Sequence, residues 1–355
     1  MRVAILGAGA IALGGAASLE QNGHQSVIWS PSGRSTEALA RGNPLTATGA
    51  VTGEFHPRVA ADCPDALAGA EAVLVALPGN GHRAVFDAMA PHLNPGQTVL
   101  ISGHLSFGAL YLAGRLAERS VAVPIVAWGT TVTTGRRRGD AAVHVNNVRK
   151  QVDVATLPLS AAAHGLALCR TLFGDRFMPR DDLLAIAVSN LNPQNHLAIA
   201  LCNLTRMERG ETWSQNGNIT DAVGRLMEAL DAERLAIAAK LGVAVRTIRD
   251  HFSLSFNVPP GRMSDMAREM HARGDATLGP TSLETRYVLE DVPYGLVPTA
   301  RLGRLVGAPA TLHEAGIAIL SAAYGRDLAA ENDLLPAMGF EALSLSELRR
   351  RAREG

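Results

Sequence analysis

Val3-Ala4-Ile5-Leu6-Gly7-Ala8-Gly9-Ala10-Ile11-Ala12 decides the fold of the amino-terminal half. A short apolar run ends in a G-x-G-x-x-A pattern that opens a helical stretch at 11–21, and a second apolar run at 26–29 follows about twenty residues on. Each position has a physical reason. Gly7 permits the tight turn, Gly9 leaves room for a pyrophosphate, and Ala12 lets helix and strand pack closely, while Ala10 and Ile11 begin a helix whose free N–H groups suit an anion. A dinucleotide cofactor is the expectation.

Outward from this stretch, apolar runs at 72–77, 98–101 and 125–128 alternate with helical patterns at 36–41, 82–90 and 107–119. That alternation predicts a doubly wound, mostly parallel α/β sheet. A hairpin is expected from 143–147 and 151–157, then one more helix at 161–173. After Met178-Pro179-Arg180 the texture changes, and apolar residues recur at helical spacing over 183–206, 221–241, 245–252, 264–273, 300–305, 312–324 and 345–352. The chain therefore divides into a Rossmann-like NAD(P)-binding domain at 1–179 and an all-helical domain at 180–355, with the ligand expected between domains.

Composition narrows the class. Of 355 residues, 33 are Lys or Arg and 33 Asp or Glu, so no global charge recommends nucleic acid or an anionic membrane as partner. No apolar run approaches the ~20 residues of a membrane span. Cys63, Cys169 and Cys202 form no C-x-x-C pair, and the eleven histidines show no metal-ligand spacing, so no metal is expected and a reducing cytoplasm is.

The end of the second strand bears on the cofactor, because an acid there would receive a ribose 2′-hydroxyl and repel a 2′-phosphate. Trp29-Ser30-Pro31-Ser32-Gly33-Arg34 has none. Ser30, Ser32 and Arg34 suit a phosphate, which favours NADP(H), with NAD as the alternative. Leu77 and Pro78, after the third strand, are expected along the nicotinamide side. Arg136-Arg137-Arg138 reads as a solvated loop, with attraction of an acidic substrate as the alternative.

Two polar stretches interrupt the helical half. In Ser189-Asn190-Leu191-Asn192-Pro193-Gln194-Asn195-His196, polar groups this dense must be satisfied or functional, and Pro193 breaks the helix. His196 reads either as a hydrogen-bonded core histidine or as a proton-exchanging group. The second stretch runs from Thr285-Arg286-Tyr287 to Glu290-Asp291-Val292-Pro293-Tyr294-Gly295-Leu296-Val297-Pro298. If it packs on the His196 helix, Asp291 can accept the imidazole N–H and Arg286 can grip a substrate carboxylate. Alternatively, Arg286 and Glu290 merely pair at i and i+4, or Glu290 is the partner of His196.

These pieces, with the helical segment 231–238, resemble the NAD(P)-dependent opine dehydrogenases, most specifically in the run from Thr285 to Pro298. The resemblance implies a Rossmann-like domain followed by an all-helical one. It implies reductive condensation of an amino acid with a 2-oxo acid, such as pyruvate or 2-oxoglutarate, through an imine. It matches His196 and Asp291 to the family's catalytic pair and Arg286 to its carboxylate-binding arginine; Asn192 and Thr130 are expected as further substrate contacts. Leu197 stands where relatives carry a proline, which leaves the amino acid substrate open.

Two other readings compete. A ketopantoate reductase-like enzyme shares the layout but relies on a helical-domain lysine, and Lys150 and Lys240 are the only lysines here. A cofactor-binding protein without turnover has no need of His196, Asp291 and Arg286 together. The apolar stretch 312–324 suits a homodimer interface as readily as a monomer core.

Overall fold

The computed structural model describes all 355 residues, Met1–Gly355, as two compact units, Met1–Ile186 with Ser346–Gly355 and Ala187–Leu345. The first unit holds an eight-stranded sheet in the order Phe177–Pro179, Val152–Leu157, Ile125–Trp128, Thr98–Ile101, Ala72–Val75, Arg2–Leu6, Gln25–Trp29, Arg58–Val59. Six strands are parallel, and Val152–Leu157 pairs antiparallel to Ile125–Trp128. The inner strands Arg2–Leu6, Ala72–Val75, Thr98–Ile101 and Ile125–Trp128 are almost wholly apolar because helices cover both faces of such a sheet. Strand order reverses around Arg2–Leu6, so the carboxyl ends of this strand and of Ala72–Val75 form the switch point where open α/β sheets bind ligands.

A second sheet of four strands, Gly53–Phe55, Leu45–Gly49, Ala142–Val148 and Thr133–Gly139, packs on the first helix, Ala10–Gln21. This explains a helix built from Ala and Gly: residues Ala12 to Leu19 are all buried, since both of its sides are covered. It also corrects three expectations. Ala142–Val148 and Val152–Leu157 are not a hairpin but lie in different sheets, because the first pairs with Thr133–Gly139 and Leu45–Gly49. Arg136–Arg138 is strand rather than loop. The division drawn at Pro179 falls inside the first unit, since Phe177–Pro179 is that unit's edge strand and the last helix returns to it.

The second unit is helical, apart from one isolated bridge, Ser214 to Leu278. The stretch expected as one helix over 183–206 is three, Leu183–Ala187, Asn192–Cys202 and Leu204–Glu208. The break precedes Pro193, which sits in the first turn of the middle helix, where its missing N–H costs nothing. That middle helix packs on Asp221–Leu241, Arg286–Leu289 and Thr311–Tyr324.

Buried polar pairs tie these helices together. His313, fully buried, donates from Nδ1 to Glu233 (2.8 Å) and accepts from the Gln194 amide at Nε2 (3.1 Å). Burial raises the Glu233 carboxyl, yet hydrogen bonds from His313 and the Leu312 and His313 backbone prevail and hold it down at about 2. Arg234, also fully buried, donates to Asp231 Oδ1 at 2.9 and 2.7 Å and to the carbonyls of Val188 and Arg246, while Asp231 Oδ2 accepts the Ile248 N–H. Asp231→Ala strands this guanidinium without its counter-charge and is predicted to cost about 3–5 kcal/mol in urea unfolding. A loss below about 1 kcal/mol, the range of exposed pairs, would show that the pair is not desolvated.

Candidate active site

At the switch point the two loops touch. Gly7 has φ +127°, and a Cβ there would lie 2.4 Å from the Ala76 carbonyl oxygen, so only glycine lets the first loop pass the third. A Cβ on Gly9 would meet nothing within 4 Å, which leaves open space before the helix Ala10–Gln21. That helix has no side-chain cap and no acid in its first turn, so its N–H groups and positive end are available to an anion. A pyrophosphate fits these residues.

Ser30 is half-buried, and Ser32 and Arg34 are exposed, on a turn closed by the Gly33 N–H to the Ser30 carbonyl. Leu77 and Pro78 lead into a turn backed by His82, whose Nε2 donates to the Leu77 carbonyl (3.1 Å). Burial pushes His82 down to about 4, which keeps it neutral. Thr130 lies half-buried just after Ile125–Trp128.

Sequence reasoning named Arg137 only as part of a basic run and missed its contacts with the fingerprint loop. From the small sheet, its Nη1 donates to the carbonyls of Ala8 (3.0 Å) and Ser35 (3.3 Å), joining the fingerprint loop to the loop after the second strand. Only the pairing of Thr133–Gly139 into a sheet over the first helix brings it there, and no local pattern signals that.

In the second unit, the Asn190 side chain accepts the Asn192 N–H (3.1 Å) and starts the helix that carries His196. Asn192, half-buried, lies one turn before His196 on the same face. Thr285 Oγ1 receives the Tyr287 N–H and caps Arg286–Leu289; Val292–Leu296 then forms a π-helical turn running into Val297–Leu305. A Cβ on Gly295 would lie 2.3 Å from Pro193 Cγ, so this turn and the start of the His196 helix are in close contact.

Asp291 lies between these elements at 1% exposure, and its Oδ2 accepts from His196 Nδ1 at 2.7 Å. This bond places the proton of a neutral imidazole on Nδ1 and leaves Nε2 for exchange. Asp291 Oδ1 is buried without a hydrogen-bond partner. The Tyr287 ring stacks on the imidazole, with centroids 3.6 Å apart and planes at 10°, and its hydroxyl donates to Gln215 Oε1 (2.6 Å). Arg286 Nε contacts Glu290 Oε2 at 3.2 Å; the arginine side chain is 55% exposed and the glutamate 10%. The two acids thus divide, Asp291 to the histidine and Glu290 to the arginine.

The sequence model described as "NAD/NADP octopine/nopaline dehydrogenase, alpha-helical domain" matches residues 179–324, and the one described as "Ketopantoate reductase PanE/ApbA" matches 3–157. The chain is 29% identical over 353 residues to the opine dehydrogenase of Arthrobacter sp. (strain 1C), covering 98% of this chain and 97% of that one. It is 30% identical over 320 residues to Protein ocs of Agrobacterium vitis, covering 86% of each. Its fold matches that of an octopine dehydrogenase solved with NADH and agmatine at a TM-score of 0.81, with 16% identity over 99% of this chain and 98% of that one. Together with the paired helical and Rossmann-like halves, these likenesses show that the chain belongs to the opine dehydrogenase family of NAD(P)-dependent oxidoreductases.

Proposed function

We propose that this protein condenses the amino group of an amino acid with a 2-oxo acid, of the pyruvate or 2-oxoglutarate class, and reduces the imine to an N-(carboxyalkyl)amino acid, with the reverse oxidation also open to it. The observation that carries this reading is the buried pair of His196 with Asp291, an acid in the segment that also presents Arg286.

Amine and carbonyl join as a carbinolamine, lose water, and leave an imine carbon that accepts hydride. A bound reduced nicotinamide supplies that hydride. Loss of the hydroxyl needs an acid that works near neutral pH, and the returning direction needs a base. His196 Nε2 fills both roles, since Asp291 holds the other nitrogen and stabilises the imidazolium each time it forms. Arg286 meets Glu290 through Nε, and its terminal nitrogens take a substrate carboxylate. Asn192 and Thr130 add hydrogen bonds to substrate.

Gly7, Gly9, Ala10, Ile11 and Ala12 hold the pyrophosphate, and Leu77 and Pro78 border the nicotinamide. Ser30, Ser32 and Arg34, with no acid among them, favour NADP(H) over NAD. No helix is long and apolar enough to cross a membrane, and the three cysteines are free thiols, which supports a cytoplasmic protein. The match of residues 3–157 to ketopantoate reductases favours one second reading, reduction of a 2-oxo acid without an amine.

Oxidation of NADPH and NADH, followed by absorbance across a matrix of amino acids and 2-oxo acids with each omitted in turn, separates the two. Consumption that requires both partners is expected, and consumption with the oxo acid alone would overturn the condensation. His196→Asn is predicted to lower kcat about 10²–10⁴-fold while leaving the cofactor dissociation constant, read by fluorescence, unchanged. Full activity in that variant would refute the role given to His196. Arg286→Met is predicted to raise KM for the oxo acid about 10–100-fold, the loss of a charge-assisted hydrogen bond.

A further inference from the structure

We infer that Tyr287 is a positioning residue for His196: its ring, laid flat on the imidazole and tethered by Gln215, favours the protonated ring and fixes the direction of Nε2. This rests on the proton-exchanging role proposed for His196.

The stacking geometry carries the argument. Both faces of an uncharged aromatic ring are negative, so neutral pairs settle offset or edge-on with centroids about 4.5–7 Å apart. Other ring pairs in this protein obey that rule: Trp128 and Phe173 meet at 5.5 Å and 90°, and His82 and Phe86 at 5.3 Å and 43°. His196 and Tyr287, at 3.6 Å and 10°, form a near-parallel sandwich that is poor for two neutral rings. A proton on the imidazole reverses the sign, because a cation over the negative face of tyrosine is attracted. The carboxylate of Asp291, 2.7 Å from Nδ1, acts in the same direction.

The tyrosine is held at both ends. Its backbone N–H bonds Thr285 Oγ1, and its hydroxyl bonds the side chain of Gln215, a buried residue whose backbone N–H donates to the Thr277 carbonyl (2.9 Å). Such a clamp prevents the rings from sliding into the offset arrangement that a neutral pair would adopt. Of the other charges on elements packed against the His196 helix, those that are buried or nearly so are paired: Glu290 with the more exposed Arg286, Asp231 with Arg234, and Glu233 with His313. The remainder are solvent-accessible. Asp291 and Tyr287 are therefore the groups that set the charge of this ring.

The step served is cleavage of the carbinolamine C–O bond. The bonding pair leaves with oxygen, the His196 proton goes to that oxygen to form water, and the imidazole is left neutral. A ring whose protonated form is favoured by its stacking partner keeps this acid available.

The test uses the full-length protein without substrate, isotopically labelled at histidine, with the His196 ring assigned by His196→Asn and its titration followed by NMR. In Tyr287→Leu the His196 midpoint is expected to move to lower pH by about 0.5–1 unit. The alkaline limb of reductive kcat should move with it, while KM for the oxo acid changes far less than kcat. Tyr287→Phe, which keeps the ring but loses its tether to Gln215, should restore most of the midpoint and of kcat, leaving only the small residual shift expected of Gln215→Ala. An unshifted midpoint in Tyr287→Leu overturns the inference whatever happens to activity, and a Phe variant that behaves like Leu overturns the role given to the ring. Should Tyr287→Leu fail to fold, Gln215→Ala frees the hydroxyl end and should give a smaller shift in the same direction; no shift overturns the clamp. A shifted midpoint beside a fully active His196→Asn would sustain the inference about the ring and refute the proposed catalysis.

Discussion

A carboxylate at 1% exposure cannot stand alone, and Asp291 is that carboxylate. Burying an ionised acid without compensation is too costly for a fold to carry, so partners must be built around it. One oxygen is satisfied by His196 and the other has no hydrogen-bond partner in the protein. The arrangement of the second unit follows from that demand. The helix that carries His196 has to begin after Asn190, with Pro193 in its first turn, and the π-helical turn after Asp291 has to approach Pro193 so closely that residue 295 is glycine. A wide turn at a functional position is a common use of π-helix, and here it sets the register between the acid and the helix opposite.

The first unit solves a different problem, holding two backbone loops at one edge of a sheet. Neither loop supplies many side chains. Gly7 slips under the Ala76 carbonyl, and Arg137 reaches from the small sheet to the carbonyls of Ala8 and Ser35. The guanidinium spends its donors on backbone atoms, Gly139 and Asp140 among them, which rigidifies the mouth of the site and leaves its positive charge there. A phosphate-binding loop gains from both effects, since order lowers the entropy lost on binding and charge attracts the anion.

Local rules made part of this legible and non-local contacts hid the rest. The G-x-G-x-x-A loop could be read because every cause of its pattern lies within a dozen residues: strand, turn, helix start. His196 and Asp291 could be matched through the run around residues 285–298, but nothing local could choose between Asp291 and Glu290, since adjacent residues on a short helix differ only in what lies opposite. The small sheet was invisible for a related reason. Leu45–Gly49 and Gly53–Phe55 are short and half-exposed, so no apolar run marked them, and the pairing of Leu45–Gly49 with Ala142–Val148 spans almost a hundred residues of chain. Tyr287 looked like one more residue beside Arg286, because a stacking partner is defined by distance and angle rather than by spacing.

Arg286 and Glu290 show why a structural and a functional reading of one pair need not exclude each other. Glu290 is nearly buried, so swinging Arg286 away to substrate would weaken the pairing of a largely desolvated charge. The contact is made through Nε, and the two terminal nitrogens of a guanidinium lie on the edge away from the side-chain stem, in the same plane. A substrate carboxylate can therefore engage them without the ion pair breaking. Under the proposed role of Arg286, Glu290 aligns the fork before substrate arrives, and the rotamer entropy of the arginine is spent in folding rather than in binding. In the proposed reading the helical i, i+4 pair is a pre-set carboxylate receptor five residues ahead of the acid that meets His196.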